Sequence, residues 1–441
     1  MSLLRVLPAG RSAPLVQVAS LHQSSKQCEQ ASQQQGQGIG GVTLPGPVRS
    51  GTSSAYRKGT GGRSSFSGNV ITVFGNSGRI GLPVVNRLAK EGAQMIIPYR
   101  CDGYWLKEHK VVGDLGQILF FPFHLKDEAS IRKVVKYSNI VINLIGTGIN
   151  TKHFSFHDTN VDGARRLARI SREMGVERFI HFSALNATTD PEPVLIPGGS
   201  QFLRTKALGE IAVREEFPDA TIIRPAQMFG EQDRFIMTYI SNSRKIPFYN
   251  TVHMYRGGEE TYKMPVFNND VVIGLQKIVQ DPSTVGQTYE FVGPHCYQLS
   301  ELVDYILRKA LLVKELHQEA KRRHGYNPYT TMMTNLLEFV GRFRRHTPYF
   351  DWEYFETVEC TNDVLTGAPT LKDLGMRKLT EFEHVGGEIA RVYGYYKWIQ
   401  DNYGDLKPPP LPIRSPPIIR KRSARVNAQS SFGANVAANV S

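Results

Sequence analysis

The run from Val70 to Gly92 constrains this chain more than any other feature. Val70-Ile71-Thr72-Val73-Phe74 is a continuous apolar run of strand length. It leads directly into Gly75-Asn76-Ser77-Gly78-Arg79-Ile80-Gly81, after which Val84, Val85 and Leu88 recur at helical spacing and Gly92 marks a stop. A strand that turns straight into a helix brings the helix N-terminus to the strand's carboxyl end. Each glycine has its own reason there. Gly75 permits the tight turn, Gly78 lets backbone N–H groups approach an anion with no side chain between, and Gly81 lets helix and strand pack closely. The free N–H groups and the positive dipole end of the helix point at the same place. A glycine-rich loop in this context predicts a pyrophosphate cradle, and hence a dinucleotide ligand.

The chain beyond this run repeats the theme. Apolar runs at 95–99, 118–123, 140–145, 178–183 and 221–225 read as strands. Between them, 127–137 and 159–174 carry helical spacing, and a further helix follows Lys206. Such alternation predicts an α/β fold of the Rossmann type, a doubly wound parallel sheet covered on both faces. Past residue 230 the alternation weakens, and 300–345 reads as mostly helical. The expected organisation is a leader over 1–67 too poor in apolar residues to build a core, a dinucleotide-binding core over 68–250, a smaller mixed portion over 251–404 completing the fold, and a Pro-rich basic tail over 405–441. Prolines in the tail argue against helix and sheet there, leaving an extended strand of chain that lies along a partner or is free.

Charge is uneven. The net +13 is concentrated at the ends: Glu29 is the only acid between Met1 and Lys90, and no acid follows Asp405. The Arg-bearing, acid-free N-terminus has the composition of a mitochondrial targeting sequence, or of a plain disordered leader. No apolar stretch reaches bilayer length, so any membrane association is peripheral. Cys28, Cys101, Cys296 and Cys360 form no CxxC pair, which excludes a disulfide scaffold or zinc ribbon and fits a reducing compartment. The histidines show no metal-ligand spacing, so no metal is expected. The basic stretch 321–346 reads equally as a contact for anionic lipid or a partner, and as a solvated helix face. The residue ending the second strand selects the cofactor: an acid there would bind the ribose 2′-OH of NAD(H), whereas Arg100 suits the 2′-phosphate of NADP(H). NADP(H) is therefore expected over NAD(H) or a flavin dinucleotide.

These motifs resemble those of the short-chain dehydrogenase/reductase superfamily, in its extended or atypical branch. GNSGRIG resembles the cofactor turn, INLIG with Leu144, Ile145 and Gly146 the segment lining the cofactor ribose, and RFIHFSALNA the strand bearing the active-site Ser, here Ser183. Arg224-Pro225 through Phe229-Gly230 resembles the segment passing the nicotinamide, and PTLKDLGM (369–376) the closing motif. The resemblance spans residues 69 to 385. QMIIPYRCDGYW, VVGDLGQILFFPFHLKDEASIRKVV, NIVINLIG, GVERFIHFSALNA and FVGP narrow it to the reductase-like accessory subunits of mitochondrial respiratory complex I. That resemblance implies an imported protein on the matrix side of the inner membrane. It also implies other complex I subunits of the matrix arm as partners, tightly bound NADPH as a structural ligand, and a role in assembly and stability; nucleic acid is not expected as a partner.

The residues themselves speak against hydride chemistry. Short-chain reductases use Tyr-x-x-x-Lys, in which the Tyr hydroxyl protonates the carbonyl and the Lys lowers its pKa and binds the ribose. The matching stretch here runs from Phe202 to Lys206, so the Lys is kept and the hydroxyl is missing. A positioned proton donor is worth about 10²–10⁴-fold in rate. Ser183 reads either as a residual carbonyl-orienting group or as a strand-end hydrogen-bonding residue. His124 stands where the resemblance implies an Asp near the adenine amino group, and Tyr305-x-x-x-Lys309 lies too far along the chain to face the cradle. The expected ligand contacts are therefore residues 75–81, Arg100, His124, Leu144, Ile145, Gly146, Ser183, Lys206, Pro225 and Phe229. The competing expectation is an active NADPH-dependent reductase on an unknown carbonyl.

Overall fold

The computed structural model describes residues 67–393, apart from 101, 115, 152, 232, 241–250, 311–320, 325–330, 333, 337, 338 and 340–350, together with 409–420. The leader, most of the basic stretch 321–346 and the basic cluster after Arg420 lie outside the described residues.

Seven strands form the central sheet: β1 (Val70–Phe74), β2 (Gln94–Tyr99), β3 (Ile118–Pro122), β4 (Ile140–Asn143), β5 (Arg178–Phe182), β6 (Thr221–Pro225) and β7 (Thr288–Phe291). Their order is β7-β6-β5-β4-β1-β2-β3, with every pair parallel. The continuous apolar runs of the inner strands are explained by burial on both faces, while the edge strand β3 is only half-buried. On one face, α1 (Gly81–Lys90) and α5 (Asn268–Gln280) pack over Val73, Ile97, Ile142 and Ile180. On the other, α2 (Glu128–Val135), α3 (Gly163–Glu173) and α4 (Gln201–Glu216) cover Phe74, Ile96, Val141 and Phe179. Each fully buried side chain of this size contributes roughly 1.5–3 kcal/mol of transfer free energy. The chain order reverses between β1 and β4, which is where a doubly wound sheet opens a crevice beyond its strand ends.

β7 escapes the periodicity argument. Its sequence Thr-Tyr-Glu-Phe contains Glu290, fully buried, so the run does not read as apolar. The carboxylate is accommodated because the Thr366 N–H and hydroxyl both donate to it. α4 begins at Gln201, earlier than expected, because the Ser200 hydroxyl caps it by accepting from Leu203 N–H at 3.2 Å.

A second, aromatic core joins residues 229–240 to the C-terminal portion, with Phe229, Phe235, Tyr239, Tyr297, Phe355 and Phe382 all fully buried. α6 (Leu299–Lys309) and α7 (Phe382–Tyr393) pack there. The expectation of a mostly helical 300–345 holds for α6 but fails at Lys321–His324, a strand pairing in parallel with Thr251–Met254. The tail also differs from expectation. Arg414–Ser415 pairs antiparallel with Cys296–Tyr297, and Ile418–Ile419 pairs in parallel with Val364–Leu365. Two-residue strands separated by Pro416-Pro417 at a sheet edge need few N–H donors, so proline does not forbid them. Arg414 fixes the tail by ion pairs to Glu381 at 3.0 Å and Glu383 at 3.3 Å. Among the described residues no helix is long and apolar enough to cross a membrane, and no cluster of His, Cys, Asp or Glu could hold a metal ion.

Candidate dinucleotide site

The glycine turn closes as its sequence requires. Gly75 adopts φ +83°, and a Cβ there would lie 2.9 Å from Ile145 N and Leu144 C, so β1 and β4 approach each other backbone to backbone. Gly78 N–H donates to Gly75 O and Gly81 N–H to Gly78 O, each at 3.0 Å. At Gly81 a Cβ would sit 2.0 Å from Asn76 O, an impossible contact. Over Gly78, by contrast, a Cβ would meet only Gly75 O, at 3.2 Å. The middle glycine therefore leaves space above the turn, while the outer two are filled by protein. Ser77, Gly78 and Arg79 are exposed, Asn76 and Ile80 buried. Residues 75–81 thus fit a pyrophosphate at the start of α1.

The β4 end forms the opposite wall. Asn143 Oδ1 accepts from Ile145 N–H at 3.0 Å, fixing the turn through Leu144, Ile145 and Gly146. Asn160, in the π-helical turn before α3, accepts from Thr147 N–H at 3.1 Å and donates to Thr205 on α4 at 3.1 Å. It ties the wall to the helix carrying Lys206. Asn160 lay unread in Asn-Val-Asp-Gly, a motif with no apolar or glycine periodicity to mark it.

Lys206 is buried beneath Gly146, where a Cβ would meet Nζ at 2.7 Å, and its ammonium donates to Phe182 O at 3.0 Å. Burial lowers its pKa to about 8, against the attraction of Glu210. Ser183 follows β5 directly. Its Oγ is buried and meets no hydrogen-bond partner among the described residues. His181 is fully buried beside Asn143 and neutral, its pKa lowered to about 3 by burial and by Lys206. Phe202 is half-buried at the start of α4.

Pro225 ends β6, with its carbonyl accepting from Leu185 N–H. Phe229 departs from expectation. Its ring is fully buried against Phe382 and Phe267, with centroids 4.9 and 5.5 Å away, so its side chain belongs to the aromatic core. Asp233, a few residues on, was not foreseen. Burial pushes its carboxyl up to about 7, against backbone hydrogen bonds and the charge of Arg79. Its Oδ2 has no hydrogen-bond partner among the described residues. Tyr305 is a core residue, donating to Glu383 O at 2.9 Å. At the far end Arg100 and His124 are both exposed and both approach Phe154, Arg100 with Cζ 5.2 Å from the ring centroid and His124 with its ring 5.9 Å away.

This sheet order and cradle define a Rossmann protein of the epimerase and short-chain reductase type. The model of the NAD dependent epimerase/dehydratase family matches residues 71–290. The NAD-bound dTDP-glucose 4,6-dehydratase of Streptomyces venezuelae shares the fold, with a TM-score of 0.52 at 15% identity over 76% of this chain and 98% of that one. Among curated proteins, NADH dehydrogenase (ubiquinone) 1 alpha subcomplex subunit 9, mitochondrial, of Rattus norvegicus is 38% identical over 79% of this chain and 87% of its own length. Its namesake in Dictyostelium discoideum is 35% identical over 76% and 87%. The chain belongs to this subunit 9 family.

Proposed function

We propose that the chain is a non-catalytic accessory subunit of mitochondrial complex I, peripheral on the matrix side of the inner membrane. There it would contact other subunits of the matrix arm and anionic lipid, and hold NADPH as a structural ligand. Family membership supports the assignment to the complex. One observation carries the reading of the ligand: the cradle at residues 75–81 is complete, while the position for the proton donor holds Phe202. The residues present fit the dinucleotide. Gly78 leaves room for phosphate, Lys206 lies under the ribose-lining turn, and Arg100 stands free of ion pairs among the described residues. A nicotinamide dinucleotide supplies hydride when a substrate reaches it; here its binding energy alone suffices for a role. A ligand that binds only the folded state stabilises it by RT ln(1 + [L]/Kd), roughly 2.7 kcal/mol at about 100 Kd.

Native fractionation of solubilised mitochondria, with mass spectrometry of the ligand that travels with the chain, tests both parts. Co-migration with complex I carrying NADPH is expected; migration as a free monomer overturns the assignment. A second reading, an active NADPH-dependent reductase, draws on the unpartnered buried Oγ of Ser183. It requires NADPH oxidation by the purified chain on a carbonyl substrate, abolished by Ser183→Ala.

A further inference from the structure

Far from the glycine turn in sequence, three large apolar side chains gather on one exposed helical face. Residues 331, 332, 334–336 and 339 are helical. Met332, Leu336 and Phe339 are 58%, 51% and 59% exposed. Their spacing of i, i+4 and i+7 places them one above another on a single face. The opposite side is seated on the protein, with Thr334 buried. Asn335, at the border of the face, accepts from Trp352 Nε1–H at 2.7 Å through Oδ1. Trp352 packs edge-on against Phe355 of the aromatic core, with centroids 5.9 Å apart. The fold therefore holds this face outward. Large apolar side chains exposed singly are ordinary; three on adjacent turns form a patch with a use.

The sequence around the face is basic. From 320 to 350 it carries Lys321, Arg322, Arg323, Arg342, Arg344 and Arg345 against Glu338 alone. Arg322 is committed to Asp304, by contacts at 2.7 and 3.0 Å, and to Gly257 O at 2.6 Å. The remaining cations still leave the stretch positive on both sides of the apolar residues. Charge of one sign flanking an apolar face complements an anionic surface. A matched protein groove would call for directional groups on the face, and the polar residue at its border already spends its carbonyl oxygen on Trp352. Met, Leu and Phe side chains suit the boundary between headgroups and acyl chains of a bilayer, where they need no fixed partner. Among the described residues no helix is long and apolar enough to cross a membrane, so the contact is an in-plane one.

We propose that the face formed by Met332, Leu336 and Phe339 lies in the plane of an anionic lipid surface, and that the basic residues flanking it in sequence supply the attraction. The inference rests on the reading of the chain as a peripheral subunit at the inner membrane and goes beyond it by assigning the lipid contact to named side chains.

Flotation of the purified full chain with vesicles of phosphatidylcholine, and of phosphatidylcholine mixed with phosphatidylglycerol, tests it. Binding to the anionic vesicles is expected, weakening as salt rises, with little binding to phosphatidylcholine alone. Leu336→Ser is expected to weaken that binding about tenfold, the effect of withdrawing one large apolar side chain. Arg344→Gln is expected to weaken it about fivefold, the contribution of one cation near a charged surface. Leu336→Trp keeps the face apolar, and its added emission should shift to the blue on anionic vesicles only. Because Leu336 is exposed, both of its variants should unfold in urea as the wild type does. Equal binding to both kinds of vesicle, or undiminished binding by Leu336→Ser, overturns the proposal. So does a Leu336→Ser chain that binds vesicles as before but no longer co-migrates with complex I, which would give the face to a protein partner. A wild-type chain that ignores anionic vesicles and co-migrates with complex I defeats this inference alone, whereas a free monomer that ignores them defeats the subunit reading as well.

Discussion

The phosphate end and the carbonyl end of the site are held in different ways. At the phosphate end, seven consecutive residues close the turn on themselves, with Gly78 and Gly81 donating to carbonyls three residues back and α1 starting at once. The carbonyl end is braced by segments about 150 residues downstream. Glu353 accepts from Ser200 Oγ at 2.8 Å and Gln201 N–H at 2.9 Å, and so seats the start of α4 and Phe202. Glu356 accepts the N–H groups of Val194, Leu195 and Ile196 at 2.8, 2.6 and 3.2 Å. Val364 donates to Asn186 at 3.0 Å just beyond Ser183, and the tail strand Ile418–Ile419 backs that segment. The local end has the glycine geometry that the proposed dinucleotide would use. The end built from remote contacts is firmly seated and carries Phe202 at the start of α4. In the proposed reading, holding a ligand and reacting it are separable.

Four changes probe that separation. Gly81→Ala forces a Cβ against Asn76 O, and overpacking of this kind costs roughly 3 kcal/mol, so NADPH affinity by titration should fall about a hundredfold. Near-wild-type affinity would show that the turn is not the cradle. Glu356→Ala removes a charged acceptor of three N–H groups and should lower unfolding free energy in urea by about 2–3 kcal/mol, while NADPH affinity of the folded protein holds. A parallel loss of affinity would mean the two ends are coupled.

Asp233→Asn gives a pH signature. The folded-state pKa of Asp233 stands near 7 against an ordinary 3.8, so the folded chain holds a proton that the unfolded chain releases between those values. Stability from this group is complete below about pH 4 and is lost as the pH rises through about 7. The whole shift is worth roughly 4 kcal/mol; relaxation around the ionised carboxylate reduces it, so the Asn variant without dinucleotide should gain about 1–2 kcal/mol at pH 8 and nothing at pH 4. Equal gains at both pH values would assign the effect to packing. The smallest change is expected for Phe202→Tyr, which should alter NADPH affinity by less than about twofold, because the added hydroxyl serves the carbonyl and not the ground-state ligand. NADPH oxidation on a carbonyl panel by that variant would show the remaining machinery to be competent, and oxidation by the wild type would end the non-catalytic reading.

Six of the seven sheet strands were legible because each carries a cluster of apolar residues that the sheet buries, fully in β4 and only in part in the edge strand β3. β7 was not, because Glu290 interrupts it and its partner Thr366 lies 76 positions away. The glycine turn was legible for a related reason: its geometry is set by backbone conformation within seven residues, which glycine alone discloses. Phe229 was misplaced because its neighbourhood is the aromatic core around Phe382, over 150 positions further on.

The sequence by itself determined the strand–turn–helix, the alternation that forms the sheet, the basic ends and the missing hydroxyl at Phe202. All of these depend on residue identity and short-range spacing. Tertiary structure alone decided that Arg100 and His124 approach one ring, that Asp233 is buried near Arg79, and that the proline-rich tail lies back on its own chain. Those outcomes depend on which strand ends become neighbours and which charges lose their water, and both follow from packing between distant segments.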